Sequence, residues 1–174
     1  MSSKPLRADA RRNRTRILAA AEEVFAARGA AAATEEVAAA AGVAIGTVFR
    51  HFPTKRDLLG AILKDLLAEL SEKAREGDLF EFFTRVVTAA AEKRFVVELL
   101  AGQGVEVEVA GAVGSLSGAV GALLDAAQRD GRVRADVRLD EVLALLGAAG
   151  QGALVWSPDL RARTLEVIFA GLRG

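Results

Sequence analysis

Lys55 and Arg56 sit inside Thr54-Lys55-Arg56-Asp57, four residues that read as a capping box opening a helix. Cations in a first helical turn oppose the helix macrodipole, at about 0.3–1 kcal/mol each. Two of them make sense there beside a phosphate, which free backbone N–H groups and a lysine bind together. Arg50 and His51 stand just ahead of this helix, and Lys4, Arg7, Arg11, Arg12, Arg14 and Arg16 crowd the first sixteen positions against the single acid Asp9. The chemistry indicated is contact with a polyanion rather than bond making. With one His and no Cys, the chain has no zinc site of the Cys/His kind, no thiol nucleophile and little acid–base equipment. Gly114-Ser-Leu-Ser-Gly118 has Leu116 at the centre where a nucleophile elbow needs Ser, and no Gly-Lys-Ser/Thr phosphate loop follows. Catalytic residues, metal sites and cofactors are therefore all expected to be none.

The elements that must hold these cations are helices. Apolar residues recur at helical spacing nearly everywhere, without a sustained period of two, which predicts an all-α chain of about nine helices. Ile17, Ala21, Val24 and Phe25 share a face that Arg28-Gly29 terminates. Thr34 is the expected N-cap of a second, short helix with Glu35 and Glu36 in its first turn. A third runs from about Ala44 to Phe52, where Pro53 stops it. Two short helices joined by a glycine turn have the pattern of a helix-turn-helix, Gly42 supplying the positive φ. Val48 and Phe52 would face inward, leaving Ile45, Gly46, Thr47, Phe49, Arg50 and His51 on or near the outer face.

Further on, Leu79, Phe82, Phe83, Val86, Val87 and Ala90 form the cleanest amphipathic stripe. Val105–Val109 alternates and suits either a short strand or a helix start. Ser115–Gly131, Asp140–Val155 and Ser157–Leu172 read as helices, the last with Ser157 as N-cap and Pro158 at the first helical position. Gly111, Gly114, Gly118 and Gly121 form either a smooth helical strip or a break.

Formal charge totals zero, but residues 1–57 hold ten basic and six acidic side chains, a net +4, and the remainder carries −4. The 52% hydrophobic content is inflated by alanine, and no stretch reaches the ~20 apolar residues of a membrane span. The chain opens on charge rather than an apolar signal region, so a soluble, cytoplasmic protein without membrane contact is expected.

The segment from Thr34 through Gly42, Gly46, Arg50-His51-Phe52 and Lys55 to Leu58-Leu59 resembles the DNA-binding segment of the TetR family of bacterial transcriptional regulators, over roughly residues 11–63. The resemblance implies a homodimer on a palindromic double-stranded DNA operator, and a C-terminal helical domain that binds a small effector and releases DNA. The expected division is a basic disordered arm at 1–10, a helix-turn-helix DNA-binding domain at 11–57, and a ligand-binding and dimerisation domain at 58–174. Thr47, Phe49, His51 and Lys55 match phosphate-contacting positions. Ala44, Ile45, Gly46 and Arg50 match positions facing base edges or backbone, and Thr34 completes the expected DNA-binding set. Phe49 replaces the usual Tyr and Ala44 the usual Ser or Thr, so a phosphate hydrogen bond and a helix cap are missing. Arg50 is the one long donor able to take guanine O6/N7 in bidentate fashion.

By the same resemblance, the last two helices should pair with those of a second copy, where Gly147, Ala148, Gly150 and Gly152 would let backbones approach. Trp156 reads as a core or interface anchor, or as a ligand platform. Candidate pocket residues are Phe82, Phe83, Val86, Phe95, Leu99 and Gln103, which favour a hydrophobic or weakly polar effector. The leading reading is a ligand-responsive transcriptional repressor. The competing one is a non-enzymatic helical interaction module with a basic N-terminal arm, which leaves the helix-turn-helix spacing and the cations at a helix start unexplained.

Overall fold

The computed structural model describes residues 4–75, 77–102, 104, 114 and 116–173. The described residues form nine α-helices and no strand: α1 (Lys4–Arg28), α2 (Thr34–Ala41), α3 (Ile45–His51), α4 (Lys55–Lys73), α5 (Leu79–Glu92), α6 (Arg94–Ala101), α7 (Ser117–Arg129), α8 (Leu139–Ala153) and α9 (Pro158–Leu172). None of them is long and apolar enough to cross a membrane. The chain divides into two compact units. One runs to Asp65 and includes α6 from Phe95, and the other comprises Leu66–Arg94 with the helices from α7 onward.

The first unit is assembled around α1. Ile17, Leu18, Ala21 and Phe25 recur at helical spacing and are buried. Gly29, at φ +54°, ends the helix as the basic-then-glycine pattern predicts. At eight and seven residues, α2 and α3 are too short to persist alone. Packing holds them through Val37, Ala38 and Ala41 of α2, Val48 of α3, Phe52, and Leu58, Leu59 and Ile62 of α4. The helix starts at Lys4. One expectation changes. Thr34 is the first residue of α2 rather than its cap. Ala33 takes the cap position, and its N–H donates to Glu36 Oε2 at 2.9 Å. Arg28, in the last turn of α1, pairs with the same carboxylate, so Glu36 fixes the entry to α2 without a hydroxyl.

The second unit is organised by the α5 stripe. Leu79, Phe82, Phe83, Val86 and Val87 are buried against Val120 and Leu124 of α7, Val142 and Leu146 of α8, and Leu165 of α9 in one cluster. Each such side chain contributes about 1.5–3 kcal/mol on leaving water. Local side-chain chemistry sets the helix starts. Asp78 accepts from the N–H groups of Phe80 and Glu81, at 2.7 and 3.0 Å. Ser157 Oγ accepts from Leu160 N–H at 3.2 Å ahead of Pro158. Gln128 Nε2 donates to the carbonyls of Arg134 and Val137, at 2.9 and 2.8 Å, and so shapes the loop after α7.

The two groups of glycines singled out in the sequence have different surroundings. Gly114 and Gly118 have open space where a Cβ would sit, and only Gly121 meets a neighbour, Leu139. Gly147 and Gly150 are buried within the chain, and Gly152 accommodates the indole of Trp156. These positions therefore serve the chain's own packing, leaving Ala148 as the exposed member of that group. Val105–Val109 and Gly111 lie outside the described residues.

Candidate nucleic-acid interface

The turn between α2 and α3 is closed by Gly42 at φ +62°, ψ 39°, a left-handed conformation that glycine adopts without steric cost. Val43 N–H reaches back to the Ala38 carbonyl at 3.0 Å, which completes a Schellman-type ending. The chain then enters α3 through Ala44, whose carbonyl accepts from Thr47 N–H at 2.8 Å and whose side chain offers no cap.

Val48 is the one buried residue of α3, and Phe52 follows it into the core. Everything else on this helix is directed outward to some degree. Ala44, Gly46, Phe49 and Arg50 are exposed, and Ile45, Thr47 and His51 are half-buried. Phe49 is 44% exposed, the only large apolar side chain of the first unit so presented among the described residues. No ion pair engages Arg50 among the described residues. The Ile45–Arg50 face is thus open, narrow and supported from behind. That arrangement suits insertion into a major groove.

The surrounding cations do not all point outward. Lys55 Nζ donates to the carbonyls of Ala32 and Ala30, at 2.9 and 3.3 Å, and lies 5.1 Å from the centroid of the Phe25 ring. Its ammonium ties the start of α4 to the turn after α1. The carbonyls relieve the conflict with the helix dipole that made a phosphate the expected partner. Arg56 is exposed. Arg14 forks onto Asp65, at 3.0 and 3.3 Å, and lies 5.7 Å over the Phe52 ring. Arg16 Nη2 donates to the Gly42 carbonyl at 3.4 Å. Two of the four arginines at 11–16 therefore brace the helix-turn-helix from behind. Arg12 pairs with Asp9, and Arg11 is exposed.

The expected ligand residues divide between the two units. Phe82, Phe83 and Val86 are buried in the solid core of the second unit. Phe95 and Leu99 belong to the first unit, and Gln103 lies outside the described residues. The second unit instead carries an open groove of about 820 Å³ along α4, α5 and the end of α9, with Leu70, Lys73, Phe80, Arg85, Phe169 and Arg173 among its lining. Sequence reasoning missed it because Glu81, Thr84, Arg85 and Thr88 read as a solvated helix face. Phe169 and Arg173, moreover, come from the far end of the chain. No group of three or more His, Asp or Glu side chains able to hold a metal occurs among the described residues.

Residues 17–62 match the family described as bacterial regulatory proteins, tetR family, and residues 74–174 match the transcriptional regulator SbtR-like, C-terminal domain. No curated protein sequence matches significantly. Among solved structures, a TetR transcription regulatory protein from Mycobacterium vanbaalenii is 41% identical with a TM-score of 0.78, over 98% of this chain and 100% of that one. A TetR transcriptional regulator from Streptomyces coelicolor is 30% identical with a TM-score of 0.69, over 92% of this chain and 98% of that one. A TetR-family regulator from Pectobacterium atrosepticum shares the fold at 23% identity and a TM-score of 0.72, over 97% of this chain and 96% of that one. With the helix-turn-helix presented as described, the chain belongs to the TetR family of bacterial transcriptional regulators, which are DNA-binding proteins and not enzymes.

Proposed function

We propose that the protein is a repressor, a homodimer that holds a palindromic operator through its two α3 helices and releases it when a small molecule binds the second unit. The observation that carries this reading is the outward face of α3. Arg50 stands there without an ion pair among the described residues, and Val48 and Phe52 close the core beneath it. Arg50 serves guanine recognition, Ile45 and the Thr47 methyl press on thymine methyls, and Ala44 and Gly46 allow close approach of the groove wall. Thr47, His51, Arg56 and the third N–H of Lys55 serve phosphates, with Thr34 at the start of α2 and the Phe49 ring packed on the sugar–phosphate edge.

Dimerisation is supported by where apolar surface remains. Outside α3, the large apolar side chains left exposed among the described residues are Leu145, Val155, Leu160 and Val167, all on α8, α9 or the turn between them. A row of this kind on two adjacent helices marks a contact surface, because isolated soluble domains seldom leave it open.

Selection of genomic fragments with the purified protein tests the operator reading. The expected outcome is an inverted repeat whose half-site centres lie about one helical turn, ~34–36 Å, apart. Recovery of unrelated sequences with equal affinity would turn the reading toward non-specific binding.

A further inference from the structure

We propose that the groove of the second unit is the effector site and that it takes a small aromatic anion, a flat ring bearing a carboxylate or sulfonate. This rests on the reading of that unit as effector-binding and names what it binds. At about 820 Å³ the groove falls within the range of small-molecule sites. Its floor is aromatic. Phe169 meets Phe80 edge-on at 5.0 Å and Phe83 edge-on at 5.6 Å, and Phe80 and Phe169 are only half-buried, so the cluster has a face open to a further ring.

The charges are arranged unequally along it. Where α4 ends and α5 begins, Lys73 and Arg173 line the groove, and the Arg173 guanidinium lies 5.1 Å over the Phe80 ring. Among the described residues no ion pair engages Lys73, Arg85 or Arg173. Of the acids in the lining, Glu69 stands one turn before Lys73, Glu92 lies at the far end of α5, and Glu81 stands at the same end as Lys73 and Phe80, its carboxylate near Gly77. The lining holds four cations, Lys73, Arg85, Lys93 and Arg173, against three acids, and a net positive groove with exposed rings fits an anion beside Lys73 and Arg173 and its apolar body on Phe80 and Phe169. Thr84 and Thr88 line the α5 wall and supply hydroxyls that fix orientation. A second copy of the chain is a poor occupant, because the exposed apolar residues of α8 and α9 lie outside this lining.

The test uses two fluorescent naphthalenes with the full-length protein: 1-anilinonaphthalene-8-sulfonate and its neutral counterpart N-phenyl-1-naphthylamine. The expected result is one sulfonate site per chain, weakened about tenfold or more in Lys73→Ala/Arg173→Ala, with the neutral probe changed less than about twofold. Thermal melts of the exposed-site double variant should match the parent. Sulfonate binding within about twofold of the parent, or equal loss of both probes, overturns the assignment. Adding the sulfonate to a protein–DNA complex separates the two readings. Groove binding without any change in DNA affinity refutes effector release and leaves the groove assignment standing. Release by the sulfonate that survives Lys73→Ala/Arg173→Ala refutes the groove and leaves effector release standing.

Discussion

Arg50 and Lys55 are both cations near the start of α4, yet their surroundings give them different work. Arg50 is exposed on α3 with no ion pair among the described residues, so engaging a base edge breaks no existing ion pair. Arg50→Ala is expected to narrow the gap between operator and random DNA by about 1–3 kcal/mol, read by competition binding. Equal loss on both DNAs would reassign Arg50 to phosphate. Lys55 is half-buried and donates two hydrogen bonds to main-chain carbonyls. Lys55→Ala should therefore lower stability by about 1–2 kcal/mol in a thermal melt, since carbonyls lose a charged donor. The exposed Arg56 is the cleaner phosphate probe: Arg56→Ala should reduce the slope of log K against log salt by about 0.9 with the melt unchanged. Phe49, 44% exposed, lacks only a hydroxyl for the same purpose. Phe49→Tyr is expected to tighten binding by about 0.5–1.5 kcal/mol, equally on operator and random DNA.

At the scale of elements, α8 and α9 meet around a tryptophan seated on a glycine. A Cβ built on Gly152 would run into the Trp156 ring, so the indole occupies the space a side chain would need. Gly152→Ala must displace Trp156, and overpacking of this kind typically costs about 1–3 kcal/mol. Because Trp156 is the only tryptophan, its emission should shift to the red as the ring moves toward water. An unshifted spectrum with an unchanged melt would show that the turn absorbs the methyl group. This contact also marks the boundary of what sequence can say. Helix ends were legible where a short-range rule sets them: Thr54 with Asp57, Asp78, Ser157 before Pro158, and Gly42 after α2. So was the outward face of α3, because Val48 and Phe52 share its inner side. The destinations of long side chains were not. Lys55 finds carbonyls 23 and 25 residues away, and Arg14 an aspartate 51 residues away. Such partners depend on how helices pack, which neither periodicity nor charge counts encode. The groove was hidden for the same reason, since Phe80 and Phe169 become neighbours only when α9 closes on α5.

For the whole molecule, the division of charge matches the division of labour. The net +4 of residues 1–57 accompanies the reading helix, and the −4 of the remainder accompanies the surface proposed to meet a second copy, where surplus positive charge would attract DNA to the wrong place. Val167, 73% exposed on α9, and Leu160, 50% exposed on the same helix, are the residues on which the proposed assembly would rest. Leu160→Glu/Val167→Glu adds two carboxylates to an already acidic unit and, in a dimer, sets them against their own copies. The monomer loses nothing comparable, because neither side chain is buried within the chain. Light scattering is thus expected to give the mass of one chain, with a melt that loses only the concentration-dependent gain dimerisation gives the parent. Each monomer retains one intact α3, so binding to a single half-site should persist. What disappears is the gain from holding two half-sites at once, about 10²-fold or more on the full operator. A variant that stays dimeric would move the interface off α8 and α9. A monomer that still binds the full operator as tightly as the parent would instead show that one reading helix suffices.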